Sequence, residues 1–83
     1  MPIQPKIDYP CPWEYALIGA SEALIRQAIL ETLGETEHTL TPSHASATGK
    51  YVSFHLRVVV QDEPHRNAIF RALHSHRNIK AIL

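Results

Sequence analysis

The sequence lacks three features that would point to a secreted, membrane-bound or polyanion-binding protein. Its 83 residues contain one cysteine, so no internal disulfide can form. No apolar run approaches the about 20 residues that span a bilayer, and no secretory signal pattern is present. Lysine plus arginine equals aspartate plus glutamate, eight each, so no basic surplus is available for phosphates. We therefore expect a cytoplasmic protein with no membrane partner, and we do not expect nucleic acid as its ligand.

The remaining composition is that of one globular domain. Apolar residues make up 45% and charged residues 19% of the chain, which is enough hydrocarbon to form a core. A chain of this length buries only about 60% of the surface that is exposed in its unfolded state, so we expect modest stability. It is also too short to contain a separate catalytic domain. Four prolines occur in the first twelve residues. We predict an extended arm over residues 1–12 and a single domain over residues 13–83.

Alternation of side chains predicts four strands. The stretch from Trp13 to Gly19 alternates bulky apolar residues with smaller or polar ones, and 51–61 does so over a longer run. Residues 38–46 are rich in β-branched side chains, but Pro42 cannot donate to a ladder, so this segment is predicted to be an edge strand. The last five residues predict a short closing strand in which Lys80 and Ile82 face away from the helices.

Two helices are predicted between these strands. Ser21 can cap the first, whose apolar residues recur at helical spacing until Gly34 ends it. Asp62 and Glu63 precede Pro64, a typical helix start, and the apolar positions continue to about Ser75. The order is strand, helix, strand, strand, helix, strand.

This order predicts an α+β, ferredoxin-like βαββαβ sandwich. In that fold two helices cover one face of a four-stranded antiparallel sheet. Right-handed crossovers place the first and third strands in the centre and the other two at the edges. The longest apolar strand is the third and the proline lies in the second, which agrees with this arrangement.

Several landmarks together resemble one bacterial family. They are Tyr9-Pro10-Cys11-Pro12-Trp13, Tyr15-Ala16-Leu17-Ile18-Gly19, Pro42-Ser43, Ser46-Ala47-Thr48-Gly49-Lys50-Tyr51 and Ile79-Lys80-Ala81-Ile82-Leu83. Over 9–83 the chain resembles the YbeD-like domains, small proteins of poorly defined function, some of which carry the name lipoate regulatory protein. The resemblance implies a ferredoxin-like fold similar to ACT-type regulatory domains, which bind small molecules and associate through their sheets. It supplies no catalytic residues.

The residues themselves give no pattern of catalysis or metal binding. His74 and His76 are two positions apart near a predicted helix end, so their side chains point in different directions, and no further ligand follows at the usual spacing. Cys11 stands between two prolines without a neighbouring residue that would activate its thiol. No nucleophile motif or acid–base pair of carboxylates is present. We expect no enzyme, no metal and no cofactor.

The binding residues that we single out lie at two predicted places. The first is the corner before the first helix, where backbone amides could meet an anion. The second is the outward face of the sheet and the turns beside it, a mixed surface with cations and apolar patches. The candidates are Gly19, Ser21, Lys50, Tyr51, His55, Arg57 and Lys80. We expect a regulatory or binding module whose partner is an unknown protein or small metabolite, with a homodimer through the fourth strand or the sheet face as a hypothesis.

The alternative is a single-stranded RNA-binding module on the open sheet face, because an RNA-recognition domain has the same element order. Such a domain carries aromatic residues at outward positions of its central strands. Here Tyr51 could fill one position, but Ser53 and His55 follow it, and Phe54 is predicted to face the helices. The segment Thr48-Gly49-Lys50 is predicted to be a hairpin turn into the third strand and lacks the pattern of a phosphate loop.

Overall fold

The computed structural model describes residues 7–43 and 50–83 and contains the six predicted elements in the predicted order. The strands are β1 (Cys11–Gly19), β2 (His38–Pro42), β3 (Val52–Val60) and β4 (Ala81–Ile82), and the helices are α1 (Glu22–Leu33) and α2 (Glu63–Ser75). All strand pairs are antiparallel, in the order β2-β3-β1-β4. The ferredoxin-like sandwich is therefore confirmed, with β1 and β3 in the centre.

The pairing of β1 with β3 extends over the full length of both strands. It runs without a break from Cys11 opposite Val60 to Gly19 opposite Val52. Because side chains alternate between the two faces of a strand, this register sends one set from each strand toward the helices. Fourteen buried apolar residues form one cluster there, with Leu17, Leu56 and Val60 completely inaccessible to solvent. The predicted inward positions of both central strands are confirmed.

The helix boundaries follow from their caps. The Ser21 hydroxyl accepts a hydrogen bond from the Leu24 amide at 3.2 Å, and Gly34 ends α1 with φ +59°, a conformation that favours glycine. In α2 the Asp62 carboxylate accepts from the His65 amide at 2.8 Å, and Pro64 lies in the first turn. These are the starts and ends that the sequence predicted.

The apolar stripe of α1 is narrower than its sequence indicates. Ile25, Ala28, Ile29 and Leu33 are buried, but Leu24 is exposed. Successive helical residues are about 100° apart, so a residue next to the centre of the stripe falls on its flank. In α2 only Ile69 and Leu73 are buried. The sheet therefore contacts one narrow line of side chains on each helix.

The edge strand β2 accommodates its proline without losing a ladder bond. The Ser43 amide donates to the Ser53 carbonyl at 2.9 Å. Hydrogen-bonded and non-bonded positions alternate along an antiparallel pair, so Pro42 falls at a position whose nitrogen points to the open edge. Two strand boundaries differ from the prediction. β1 begins at Cys11, two residues before the predicted Trp13, and β2 ends at Pro42, four residues before the predicted end at 46. Residues 44–46 of the predicted second strand and Thr48-Gly49 of the predicted turn lie outside the described residues.

The closing strand differs from the prediction in register. Ala81 pairs with Ile18 and Ile82 pairs with Leu17, so Ile82 faces the core and is buried, and its predicted outward placement is wrong. Ile79 is also buried, three residues earlier. Strict alternation cannot bury both, and it fails because the strand is regular only over Ala81–Ile82, whereas Ile79 belongs to the turn that follows α2.

A glycine is required where β1 meets that turn. A Cβ on Gly19 would lie 2.8 Å from the Asn78 carbonyl oxygen and 2.8 Å from Cγ1 of Ile25. The Asn78 side chain in turn donates to the Leu24 carbonyl at 3.0 Å, which fixes the turn against α1. The backbone oxygen therefore cannot move away cheaply.

We expect Gly19→Ala to lower the free energy of unfolding by about 1–3 kcal/mol, because it forces a shift of packed backbone. Ala20→Ser, at the exposed neighbouring position, is the matched control and should change stability by less than about 0.5 kcal/mol. Urea denaturation monitored by Trp13 fluorescence measures both. Equal midpoints for Gly19→Ala and the parent protein would contradict the close approach.

Two tyrosines with buried hydroxyls differ in whether the hydroxyl has a hydrogen-bond partner. The Tyr15 hydroxyl donates to the Arg66 carbonyl at 2.8 Å, and the Arg66 guanidinium lies 4.4 Å from the centre of the Trp13 ring. Burial raises the pKa of Tyr15 to about 12, with the charge of Arg66 opposing part of the shift. The Tyr9 hydroxyl is also buried, but it has no hydrogen-bond partner within residues 7–43 and 50–83.

We therefore expect opposite results from the same change at these two positions. Tyr15→Phe removes a buried hydrogen bond to the Arg66 carbonyl, which keeps its partner within α2, and should destabilise the fold by about 0.5–1.5 kcal/mol. Tyr9→Phe removes an unsatisfied group and should be neutral or stabilising. Because the folded-state pKa of Tyr15 lies above its ordinary value, its contribution is fully present below pH 10.0 and is lost as the pH rises toward about 12.

Thermal unfolding of the two variants tests the first expectation, and an ultraviolet tyrosinate titration tests the second. The component that titrates near pH 12 should disappear in Tyr15→Phe. Its persistence in that variant would assign the raised pKa to another tyrosine.

Candidate functional site

The seven candidate residues fall on two separate surfaces. Gly19, Ser21, Lys50, Tyr51 and Lys80 lie at the end of the sheet where β1 finishes and β3 begins. His55 and Arg57 lie farther along β3, on the face of the sheet that the helices leave uncovered. The sequence-based list therefore does not describe one site, and each surface has its own chemistry.

Gly19 and Ser21 have structural roles at the first surface. Gly19 is buried and its backbone is packed against the turn at Asn78, as described above. The Ser21 hydroxyl already accepts the Leu24 amide and so satisfies one of the donors at the start of α1. Both residues shape this end of the molecule without presenting a side-chain group directed at a ligand.

The exposed groups at this end are mainly cationic. Lys50 and Lys80 are exposed, and the Lys80 amide donates to the Ile18 carbonyl at 2.7 Å, which places this residue beside the last residues of β1. Arg77, which the sequence analysis did not select, is exposed in the turn between α2 and β4. We call Lys50, Arg77 and Lys80 the basic end. A sequence signal existed for it, since residues 74–80 contain three histidine or arginine side chains and one lysine but no acid.

The second surface is the open face of the sheet. His55 lies there with Nδ1 3.2 Å from a carboxylate oxygen of Glu14, and both side chains are about half exposed. Arg57 is exposed directly opposite Glu14 in the β1–β3 register. Within the described part of the chain Arg57 has no carboxylate within ion-pair distance. The open face therefore carries one paired histidine and one cation available to a ligand.

Arg57 borders a cleft of about 360 Å³ that the sequence analysis missed. The cleft lies where the chain leaves α1 and enters β2, next to the last residues of β3. Its lining is Pro12, Thr36, Glu37, His38, Thr39, Arg57, Val58, Val59 and Gln61. Nδ1 of His38 lies 2.8 Å from the Thr36 carbonyl oxygen, so this wall of the cleft is held by a local hydrogen bond. The cleft combines a guanidinium, threonine hydroxyls and an apolar strip.

The open face does not provide an aromatic platform for bases. The outward positions of β1 and β3 within the described residues are occupied by no Phe, Tyr or Trp. Tyr51 precedes β3 and is 40% exposed, so it stands alone. Stacking of successive bases needs aromatic side chains from neighbouring strands. The geometry thus gives no specific support to the RNA-binding alternative.

The histidines near the end of α2 are engaged in structural contacts. His74 stacks on Phe70 with ring centres 5.8 Å apart. His76 accepts the Asn78 amide through Nδ1 at 3.0 Å, and its Nε2 lies 3.4 Å from a Glu31 carboxylate oxygen. Within 7–43 and 50–83, no three His, Cys, Asp or Glu side chains group as metal ligands do. Neither helix described here has the length and hydropathy to cross a membrane.

The comparison with known proteins places the chain in a family. Residues 4–83 match the model of a protein family of unknown function, DUF493. An uncharacterized protein from Campylobacter jejuni, Cj0253, is 36% identical over 84% of this chain and 80% of its own length. A UPF0250 protein from Neisseria gonorrhoeae is 30% identical over 93% of this chain and 89% of its own.

A solved structure gives the same result for the fold. The solution structure of HP0495 from Helicobacter pylori is similar with a TM-score of 0.78, covering 96% of this chain and 88% of that one at 24% identity. These relatives carry no described activity in their names, so they establish kinship and fold. The chain belongs to the DUF493 family, the YbeD-like group that includes the UPF0250 proteins.

Proposed function

We propose that this protein is a non-catalytic binding module that takes the carboxylate of a small, partly apolar metabolite in the cleft at Arg57. The observation that carries the proposal is the exposed Arg57 guanidinium, which borders the cleft and has no ion-pair partner among the described residues. A guanidinium binds a carboxylate through two parallel hydrogen bonds, which gives strength and direction. The role is regulatory, as the likeness to ACT-type domains implies, and it belongs in the cytoplasm.

The competing acid on the open face supports this assignment. Glu14 faces Arg57 across the β1–β3 pair, yet its carboxylate oxygen lies 3.2 Å from His55. The Glu14 carboxylate is thus engaged with His55, and the guanidinium has no acidic partner among the described residues. This gives His55 a positioning role, although it was first selected as a ligand contact.

The lining of the cleft indicates the class of metabolite. Pro12 and Val59 form an apolar strip, and Val59 is 49% exposed. Thr36 and Thr39 add hydroxyls that can accept or donate hydrogen bonds. A short apolar acid fits this combination, with its carboxylate on Arg57 and its hydrocarbon on the strip. Lipoate, which the family resemblance brings forward, has this form.

The residue with a shifted pKa, Tyr15, does not lie at the proposed binding site. Tyr15, whose pKa is raised to about 12, has its hydroxyl on a backbone carbonyl within the core and away from the cleft. Its shifted titration has a structural cause, and no substrate could reach it there. Tyr15 is therefore no candidate for acid–base catalysis in the cleft, and the role that we propose is binding without turnover.

A second copy of the chain is the competing occupant of the open face. On the open face Glu14 stands opposite Arg57, an acid beside a base. In a dimer with a two-fold axis, the acid of each copy could face the base of the other, so the two faces would be complementary in charge. Sedimentation at increasing protein concentration distinguishes this occupant from a metabolite. A dimer that dissociates when a carboxylate is added would mean that both use Arg57.

The test is calorimetric titration with lipoate and octanoate, each compared with its primary amide, which has the same hydrocarbon without the charge. We expect the acids to bind and the amides to bind at least about tenfold more weakly, because a charged hydrogen bond is lost. Arg57→Gln should weaken the acids by about tenfold or more. Arg71→Gln, an exposed cation on the helical layer, is the matched control.

Equal binding of acids and amides, or undiminished binding to Arg57→Gln, would refute the carboxylate site. Thermal unfolding of each variant checks that it is folded. An exposed arginine-to-glutamine change should alter stability by no more than about 0.5 kcal/mol.

A further inference from the structure

The charges of this electrically neutral chain are segregated toward the two ends of the sheet. At one end is the basic end, formed by Lys50, Arg77 and Lys80. At the other end, where β1 begins and α2 starts, the exposed charged residues are mostly acids: Asp8, Glu35, Glu37, Asp62 and Glu63. The equal totals of acidic and basic residues therefore conceal a strongly polar arrangement.

The distance between the ends keeps the two charge groups independent. β1 has nine residues, so its ends are about 30 Å apart at about 3.3 Å per residue. At physiological salt the electrostatic field of an exposed charge decays over about 8 Å. The acids at the far end therefore do not neutralise the basic end for a ligand that contacts only that end.

Two acids of α1 that could compete for the basic end are already engaged, and one of them is Glu31, an oxygen of which lies 3.4 Å from Nε2 of His76, the neighbour of Arg77. Glu22, in the first turn of α1, accepts a hydrogen bond from Nε of Arg26 at 2.7 Å. Lys50, Arg77 and Lys80 have no ion pair within the residues that the structure describes. Tyr51, 40% exposed beside Lys50, adds an aromatic contact of the kind enriched in protein interfaces.

We propose that the basic end is a docking surface for a short acidic segment of a partner protein. Three unpaired cations and an exposed tyrosine match a segment of alternating acidic and apolar residues in charge and in hydrophobicity. The surface is distinct from the Arg57 cleft, and neither proposal depends on the other. It gives the module a point of attachment that leaves the open face of the sheet uncovered.

A long polyanion fits this surface less well. A strand of RNA that extended from the basic end along the sheet would reach the acidic residues about 30 Å away, where it would be repelled. Only three cations would contact its phosphates, so few counterions would be released. A short acidic segment is attracted by the same three cations and is too short to reach the acidic residues at the other end of the sheet.

A second copy arranged head to tail also fits less well. The acids that it would present are partly engaged, since Asp62 accepts the His65 amide and an oxygen of Glu63 lies 3.8 Å from Arg66. A head-to-tail contact would in addition not close on itself and would continue into a chain of molecules. We therefore assign the surface to a different protein.

Fluorescence anisotropy with a labelled synthetic peptide tests the proposal. The probe contains alternating glutamate and leucine, and its control replaces each glutamate with glutamine. We expect the acidic peptide to bind and to weaken steeply between about 0.02 and about 0.2 M salt. The double variant Arg77→Gln/Lys80→Gln should bind it about tenfold more weakly. Arg71→Gln, which removes an exposed cation from α2, should bind it as the parent protein does.

Three results would each overturn the proposal. The first is equal affinity for the acidic peptide and its glutamine control, and the second is unchanged affinity in the double variant. The third is tighter binding of single-stranded oligouridylate, which would make the basic end a nucleic-acid surface. The two proposals are read out with different ligands and different variants, Arg57→Gln with the small acids and Arg77→Gln/Lys80→Gln with the peptide, so failure of one can be told apart from failure of the other.

Discussion

The unbroken antiparallel pairing of β1 with β3 is the constraint on which the rest of the structure depends. A shift of one residue in this register would exchange the two faces of the sheet for every side chain on the shifted strand. In the observed register Leu17 and Leu56 lie in the core, while Glu14 stands opposite Arg57 on the open face. One strand pairing thus determines both the core and the candidate site. Because the apolar side chains of β1 and β3 must be buried, the charged side chains Glu14 and Arg57 are placed on the open face.

The same pairing determines what happens at the ends of the sheet. Each connection between elements starts or finishes at one of two ends, so residues far apart in sequence share an end. Gly19 closes one end by allowing the Asn78 carbonyl to approach, and the side chain of Asn78 then ties that turn to α1. The tight turn leaves Arg77 and Lys80 on the surface beside Lys50, because only Ile79 between them is drawn into the core.

Sequence reasoning was accurate where local chemistry decides the structure. Ser21, Gly34 and Asp62 mark helix ends through hydrogen bonds that involve neighbouring residues, and the alternation of β3 is long enough to define its buried face. It failed at Ile82, because a strand of two residues takes its register from β1 and not from its own pattern. It missed the Arg57 cleft because Thr36 and Glu37 reach that place only through the turn between α1 and β2. At the basic end it selected Lys50 and Lys80 but not Arg77, because a count of charges does not show which of them lie at the same end of the sheet.

The family assignment leaves the choice of ligand to the chemistry of the two surfaces, and that chemistry differs. The lining of the cleft includes one guanidinium, the Glu37 carboxylate and no further lysine or arginine, so a second negative charge on a ligand would meet an acid and no second cation. The basic end has three cations without an adjacent unpaired acid among the described residues, so additional negative charge increases the attraction. If both proposals hold, a singly charged acid and a multiply charged segment bind at different places on one small domain. Both could be bound at the same time, which is the minimum that a module needs if a metabolite is to influence its association with a partner.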